Sequence, residues 1–177
     1  MVSVDWFRSP QPKALLWVTL LMSLVLGASL IVVDRHRAEA PGVPLSDDQA
    51  AGQVISAARQ VVAAARLQQA TGGYSFVSCV NENEPPYQAA LYMSFRLPHD
   101  DWVRYQRDVG SAMIARGWVD APAMGEHFGR KLTSDGVTAV LERSNGDRAF
   151  ATMRLYGECR NIADHRNDDP AWTEVSL

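Results

Sequence analysis

The strongest constraint on this chain is an uninterrupted apolar stretch, Ala14–Val33, which contains no charged residue. As a helix, these roughly 20 residues would be about 30 Å long, which matches the hydrocarbon core of a bilayer. Arg8 and Lys13 precede the stretch and charged residues follow it at 34–37, so polar residues mark both ends. A helix that is apolar on every side is unusual in a small soluble domain. The sequence therefore predicts a transmembrane helix at residues 14–33, preceded by a short cytoplasmic N-terminus at residues 1–13.

The same stretch has two other interpretations. A cleaved signal peptide would have a shorter apolar core of about 7–15 residues, although Ala38-Glu39-Ala40 imitates a cleavage site. Leu26-Gly27-Ala28-Ser29 has the outline of a bacterial lipobox, but Ser29 stands where the lipidated cysteine would be, so no thioether-linked lipid can form there. We therefore expect an uncleaved signal anchor. Charge does not decide its orientation, because Lys and Arg are equally frequent on both flanks.

The cysteine content bears on the cellular compartment. The chain has 2 cysteines, Cys79 and Cys159, and neither lies in a CxxC or Cys/His pattern typical of zinc or redox sites. An even pair in a membrane-tethered domain favours one disulfide bond formed outside the cytoplasm. Two unrelated buried thiols are the alternative. The sequence thus predicts an extracytoplasmic domain at residues 46–177, joined to the membrane segment by a proline-containing linker at residues 34–45.

The hydropathy pattern of the domain predicts an α+β fold with the order α-β-β-α-β-β-β. Ser46 begins a capping box with Gln49, and an apolar stripe at helical spacing predicts a helix that ends at Gly72-Gly73. Strict alternation from Ala89 to Leu97 predicts a half-buried antiparallel strand. The other predicted elements are a helix at 100–116 and strands at 74–80, 127–133, 137–143 and 150–159. We expect the helices to pack on an antiparallel sheet, and Trp172 to fold back on the domain.

Composition and motifs exclude several classes of function. The 17 basic and 20 acidic residues give a net charge of −3, so a nucleic-acid partner is not expected. The local signatures of serine hydrolases, zinc proteases and nucleotide-binding proteins are missing from the sequence, so no catalytic residue, metal site or cofactor is predicted. Asp164, His165, Asp168 and Asp169 form the densest polar cluster. This cluster could bind a divalent cation weakly, but a solvated tail is the favoured interpretation.

One loop is the best candidate for contacts with a partner. It consists of Asn81, Glu82, Asn83, Glu84, Pro85, Pro86 and Tyr87. Two prolines limit the conformational entropy of the loop, the Asn and Glu side chains offer hydrogen bonds, and the tyrosine offers an amphipathic ring. An ordinary connection between two strands is the alternative, and it is the favoured one.

Several short motifs together resemble a known family. They are Gly73-Tyr74, Cys79, Pro85-Pro86-Tyr87-Gln88, Arg116-Gly117-Trp118, His127-Phe128-Gly129, Asp135-Gly136-Val137-Thr138 and Tyr156-Gly157-Glu158-Cys159-Arg160-Asn161. Over about residues 70–170 this pattern is similar to a family of mycobacterial envelope proteins, the LppJ-like lipoproteins and single-span membrane proteins. The resemblance implies an actinobacterial cell envelope with the domain outside, and it implies no activity. Ser29 departs from the lipoprotein pattern.

Two hypotheses of function follow. The first is a non-catalytic binding or accessory module of the bacterial cell envelope, anchored in the lipid bilayer through residues 14–33 and in contact with an envelope protein. The alternative is an envelope hydrolase with a dispersed active site, because catalytic triads are defined by geometry and not by local sequence. A histidine beside a serine or a carboxylate in a deep pocket would favour the hydrolase.

Overall fold

Two helices and seven strands make up the part of the chain described by a computed structural model, which covers residues 42–81, 84–98, 101–121, 129–144, 146–169 and 171–177. The helices are α1 (Asp47–Ala65) and α2 (Trp102–Ile114). The strands are β1 (Gln68–Ser78), β2 (Tyr87–Arg96), β3 (Val119–Asp120), β4 (Arg130–Ser134), β5 (Val137–Arg143), β6 (Phe150–Tyr156) and β7 (Thr173–Val175). They form one antiparallel sheet in the order β3-β4-β5-β6-β2-β1-β7.

Helix α1 begins where the capping box predicts it. The Ser46 hydroxyl accepts a hydrogen bond from the Gln49 backbone N–H at 3.3 Å, and the Gln49 side-chain oxygen accepts one from the Ser46 N–H at 2.9 Å. These two bonds satisfy backbone donors that a helix start leaves unpaired. The helix ends at Ala65, with Arg66 in the left-handed conformation at φ 51°.

The predicted helix end at Gly72-Gly73 is wrong, because both glycines lie in the middle of β1. Close backbone contacts explain why glycine is needed there. A Cβ atom on Gly72 would lie 2.6 Å from the carbonyl oxygen of Tyr92, and a Cβ atom on Gly73 would lie 2.9 Å from that of Thr173. Glycine inside a strand commonly marks such an approach of another backbone segment.

The two faces of the sheet have different surroundings. Alternate side chains point to opposite faces of a sheet, and one set is buried beneath both helices in a single hydrophobic core. This set includes Leu91, Met93, Phe95, Leu132, Leu141, Met153 and Leu155, packed against Val54, Val61, Val109 and Met113 of the helices. The opposite face carries Thr71, Tyr92, Ser94, Thr138, Val140, Arg154 and Tyr156. Neither described helix covers this second face, which we call the open face.

The final segment wraps around the β1 edge of the sheet. We call residues 161–169 and 171–177 the C-terminal strap. It starts at Asn161, whose backbone pairs with Tyr87 at one end of β2. Near its other end lies β7, which pairs with Gly72–Tyr74 of β1. The Ser176 carbonyl then accepts two hydrogen bonds from Arg59 of α1, at 3.1 and 3.0 Å. The strap therefore connects the helical side of the domain to the open face.

The predicted fold needs two corrections. The order α-β-β-α is followed by five strands and not three, because β3 and β7 were missed; they contain only two and three residues and are too short to show a period of their own. The structure also does not support the transmembrane helix: among the described residues, neither helix is long and apolar enough to cross a bilayer. Residues 14–33, where that helix was predicted, lie outside the described part of the chain.

Candidate functional site

Two exposed aromatic rings meet on the open face. Tyr92 of β2 and Trp172 of the C-terminal strap have ring centroids 5.9 Å apart with an interplanar angle of 60°. Their exposed fractions are 37% and 48%, which are large for residues that gain most from burial. The contact confirms that Trp172 folds back on the domain.

Gly73 makes room for the tryptophan. It lies opposite Tyr92 on one side and opposite Glu174 on the other, so the row of residues across three strands has no side chain in its middle. A Cβ atom at Gly73 would lie 3.1 Å from the Cβ atom of Trp172. The indole therefore sits above bare backbone, and the glycine in the strand is what allows this position.

These residues line a shallow, open groove of about 750 Å³. We define the aromatic groove by Tyr92, Trp172, Gly73, Thr71, Ser94 and Glu174, all of which line it. The hydroxyls of Thr71 and Ser94 are 3.4 Å apart on neighbouring strands and form its polar floor. Its volume lies within the range of about 300–1,000 Å³ that is usual for ligand sites, and the mixture of aromatic and polar groups is also typical of them.

One charge of each sign flanks the groove. Arg154 of β6 lies opposite Tyr92, and Glu174 of β7 lies opposite Gly73 on the far side. A side-chain hydrogen bond with Tyr156 is the main cause that raises the pKa of Arg154, and the nearby charge of Glu142, whose carboxylate is 4.0 Å away, adds to it. The groove thus has a permanent cation at one rim and a carboxylate at the other.

A buried histidine holds the C-terminal strap in place. The side chain of His165 is only 5% exposed, and its ring lies parallel to that of Phe76 with 3.9 Å between centroids. Nδ1 lies 2.7 Å from a carboxylate oxygen of Asp168, and Nε2 lies 3.2 Å from Oδ1 of Asn161. Asn161 is fully buried and donates to Asp47 at the start of α1 at 2.7 Å. The strap is therefore joined to β1 and to α1 before it reaches Trp172.

The predicted disulfide is present. Cys79 and Cys159 are bonded, with 6.0 Å between their Cα atoms and a sequence separation of 80. Cys79 follows the end of β1 and Cys159 follows the end of β6, and these two strands flank β2, so the bond crosses the end of β2. No free cysteine is present among the described residues.

The predicted partner-binding loop is placed only in part. Glu82 and Asn83 lie outside the described residues. The Glu84 carbonyl accepts a hydrogen bond from the Ser78 hydroxyl at 2.6 Å, and the Pro86 carbonyl accepts one from the Cys79 N–H at 3.0 Å. Tyr87 is 2% exposed, so its ring belongs to the interior and is not presented to solvent. Contact with a partner through Asn81, Glu84 and Pro85 stays a prediction.

The predicted polar cluster is split by the fold. His165 and Asp168 form the buried contact that holds the strap, whereas Asp164 pairs with exposed Arg166, whose hydrogen bonds lower the pKa of Asp164 to about 2. A solvated tail is therefore the wrong interpretation for His165. Among the described residues, no group of three or more His, Cys, Asp or Glu side chains could hold a metal ion.

The sequence interpretation missed the aromatic groove. The alternation in β2 already places Tyr92 on the face opposite the buried residues, and this was the available signal. The prediction did not place Gly73 in a strand beside Tyr92, because it interpreted Gly72-Gly73 as the end of a helix. Without that strand, Trp172 has no surface to pack on.

The comparisons with known proteins give the family. The family described as "Putative lipoprotein LppJ" matches residues 46–177. The chain belongs to the LppJ family. Two relatives that carry the same description, one from Mycobacterium tuberculosis (strain H37Rv) and one from Mycobacterium bovis, are each 40% identical over 153 residues, covering 82% of this chain and 81% of the relative. No solved structure matches the chain.

Family membership confirms the resemblance and extends it from about residue 70 back to residue 46. The matched range includes the two cysteines, the C-terminal strap and the whole aromatic groove. This chain has 2 cysteines, and both are used in the disulfide. Neither of them is therefore free to carry a thioether-linked lipid.

Proposed function

We propose that residues 46–177 form a non-catalytic binding module of the mycobacterial cell envelope, located outside the cytoplasm, with the aromatic groove as its ligand site. The observation that carries this proposal is the open face itself. The helices cover one face of the sheet, while the other presents Tyr92 and Trp172 to solvent beside hydroxyls and charges. Exposed aromatic residues grouped in this way commonly mark a binding surface.

The extracytoplasmic location rests on two further observations. Relatives over most of the chain are described as lipoproteins, a class attached to bacterial envelopes. The Cys79–Cys159 disulfide fits an oxidising compartment, because cytoplasmic thiols are generally kept reduced. Both observations support a domain exposed on the outer side of the cytoplasmic membrane.

A hydrolase is less well supported by the described residues. His165 is the histidine that the structure describes, and it does lie beside a carboxylate, as in a catalytic dyad. However, it is almost fully buried, and its second ring nitrogen faces the side-chain oxygen of Asn161 and no serine. A general base must reach the proton that it removes from a nucleophile or water. This histidine therefore fits a structural role.

Binding to cell-wall material tests the proposed function. The purified full-length chain is mixed with washed mycobacterial cell wall, and the fraction that sediments with the wall is measured. We expect the double variant Tyr92→Ala, Trp172→Ala to bind at least about tenfold more weakly, because a few aromatic residues usually dominate such sites. The matched control is Val103→Ala, Ile114→Ala, which removes two exposed apolar side chains from α2.

The control variant is expected to sediment like the wild type. The proposed function is wrong if the wild-type chain does not sediment with the wall. It is also wrong if wild type, groove variant and control sediment equally, because the groove would then not be the binding site.

A further inference from the structure

We infer that the ligand of the aromatic groove is an uncharged, linear glycan of the cell envelope. This inference rests on the proposed function and names the class of ligand that the same site takes. Three properties of the groove lead to it: the chemistry of the lining, the balance of charge and the open shape.

The lining alternates aromatic surface with hydroxyl groups. Tyr92 and Trp172 present flat apolar surface, while Thr71 and Ser94 place two hydroxyls on the floor within 3.4 Å of each other. A sugar ring has the complementary composition, with a face of C–H groups and an edge of hydroxyls that both donate and accept hydrogen bonds. Hydroxyl side chains are suited to such an edge because each one also donates and accepts.

The charges at the rim favour a neutral ligand. Arg154 and Glu174 lie on opposite sides of the groove, one cation and one anion. Arg154 is already close to an acidic partner, Glu142, at 4.0 Å. A charged ligand of either sign would be attracted by one of these side chains and repelled by the other, so neither sign gains a clear electrostatic advantage. An uncharged chain meets no repulsion, and its polar groups fit a hydrogen-bond donor on one side and an acceptor on the other.

The shape favours a polymer over a small solute or an acyl chain. The groove has a volume of about 750 Å³ and is open to solvent, and the hydroxyls of Thr71 and Ser94 line it. An acyl chain would cover these hydroxyls and leave each with no partner beyond the 3.4 Å contact between them, so the rest of their hydrogen-bonding capacity would be lost in a dry site. A chain of sugar rings would instead contact the two aromatic rings one after the other, since their planes are 60° apart, and would leave the groove on its open side.

The rings are also held in position before any ligand arrives. Trp172 directly precedes β7, which pairs with β1, and the strap is fixed upstream by His165 and downstream by the bonds from Arg59 to Ser176. Tyr92 lies in the central part of β2, between β1 and β6. Binding therefore requires little ordering of the protein, which strengthens weak individual contacts.

The test treats the cell wall so that one class of component is removed at a time. Washed mycobacterial wall is divided into four portions: untreated, oxidised with periodate to cleave the vicinal diols of sugars, digested with protease, and extracted with chloroform and methanol. Binding of the full-length chain to each portion is measured by sedimentation. The same variants serve as before, with Val103→Ala, Ile114→Ala as the matched control.

The glycan assignment predicts that periodate weakens binding at least about tenfold, as the groove variant does. It also predicts that protease and solvent extraction leave binding unchanged. Since the ligand is uncharged, raising the salt from about 0.05 M to about 0.5 M should change binding less than about twofold.

Three results overturn the assignment. Loss of binding after protease identifies a protein partner, loss after solvent extraction identifies a lipid, and periodate-resistant binding excludes sugar rings that carry vicinal diols. In each of these cases binding to untreated wall that depends on Tyr92 and Trp172 would leave the proposed function standing. If untreated wall is not bound at all, the proposed function and the glycan assignment fail together.

Discussion

The imidazole of His165 lies flat on the ring of Phe76, with 3.9 Å between the ring centroids and 13° between the ring planes. Phe76 belongs to β1, and His165 belongs to the C-terminal strap that carries Trp172. The ring of Tyr87 also contacts the imidazole, edge-on, with 5.0 Å between the ring centroids. This stack explains how a polar C-terminal segment becomes part of the folded domain and delivers an aromatic residue to the open face.

Replacing His165 should therefore loosen the strap. We expect His165→Ala to lower the free energy of unfolding by about 2 kcal/mol, because the variant loses a buried stack and leaves Asn161 with one partner fewer. Arg166→Ala is the control, since it removes only an exposed ion pair with Asp164 and should change stability much less. Chemical denaturation measures both values. Equal, small effects of the two substitutions would show that the stack does not hold the strap.

Gly73→Ala tests the space beneath the tryptophan. Its Cβ atom would meet the backbone of Thr173 at 2.9 Å and Trp172 at 3.1 Å, so β7 would have to shift. We expect a loss of about 1–3 kcal/mol in the free energy of unfolding, typical of overpacking. Gly52→Ala in α1 is the matched control, because open space surrounds it and alanine favours helix by up to about 1 kcal/mol. A Gly73→Ala protein as stable as wild type would contradict the described packing.

The disulfide gives a prediction for a pair of variants. Cross-linking residues separated by 80 positions should stabilise the domain by about 4 kcal/mol according to chain-entropy estimates. Cys79→Ser should lower the free energy of unfolding by up to this amount, and adding Cys159→Ser should change it little, because one bond is lost in either case. Thermal unfolding of wild type, both single variants and the double variant measures this. Two separate, additive losses would indicate independent cysteines.

The ion pair between Asp120 and Arg130 makes the stability of the domain depend on pH in the acidic range. Both guanidinium nitrogens facing Asp120 donate to its carboxylate, at 2.8 and 2.9 Å, and these hydrogen bonds lower the pKa of Asp120 below its ordinary value of 3.8. A lowered folded-state pKa means that the contribution is present above pH 3.8 and is lost as the pH falls through the folded value. Asp120→Asn should lose stability near neutral pH and show a weaker decline below pH 3.8. An identical pH profile for both proteins, measured by denaturation, would rule out this contribution.

Several features of the fold follow directly from local sequence. The capping box fixes the start of α1, and Asp135-Gly136, a dipeptide that fits two-residue hairpin turns, forms the tight turn between β4 and β5, with φ angles of 45° and 77°. The disulfide follows from an even pair of cysteines, neither of which lies in a zinc or redox motif. The capping box and the turn each depend on a few neighbouring residues, and the disulfide depends on the presence of two cysteines.

Other features depend on contacts between distant residues and have no local signal. The strands β3 and β7 exist because β4 and β1 offer backbone partners, and two or three residues are too few to show alternation. Gly73 has the appearance of a helix stop until Thr173 and Trp172 are placed beside it. The aromatic groove combines residues from β1, β2 and the strap, so its parts become a site only after the chain has folded.

The most direct test of the aromatic groove follows Trp172 itself. The full-length chain is labelled with 5-fluorotryptophan, and the fluorine signal of Trp172 is assigned by its loss in Trp172→Phe. Trp118, which is buried, hydrogen-bonded to Gln60 and not part of the groove lining, provides an internal reference. The neutral polysaccharide fraction released from mycobacterial wall is then added. Our account predicts a saturable shift of the Trp172 signal with the Trp118 signal unchanged, whereas binding that leaves Trp172 unshifted would contradict it.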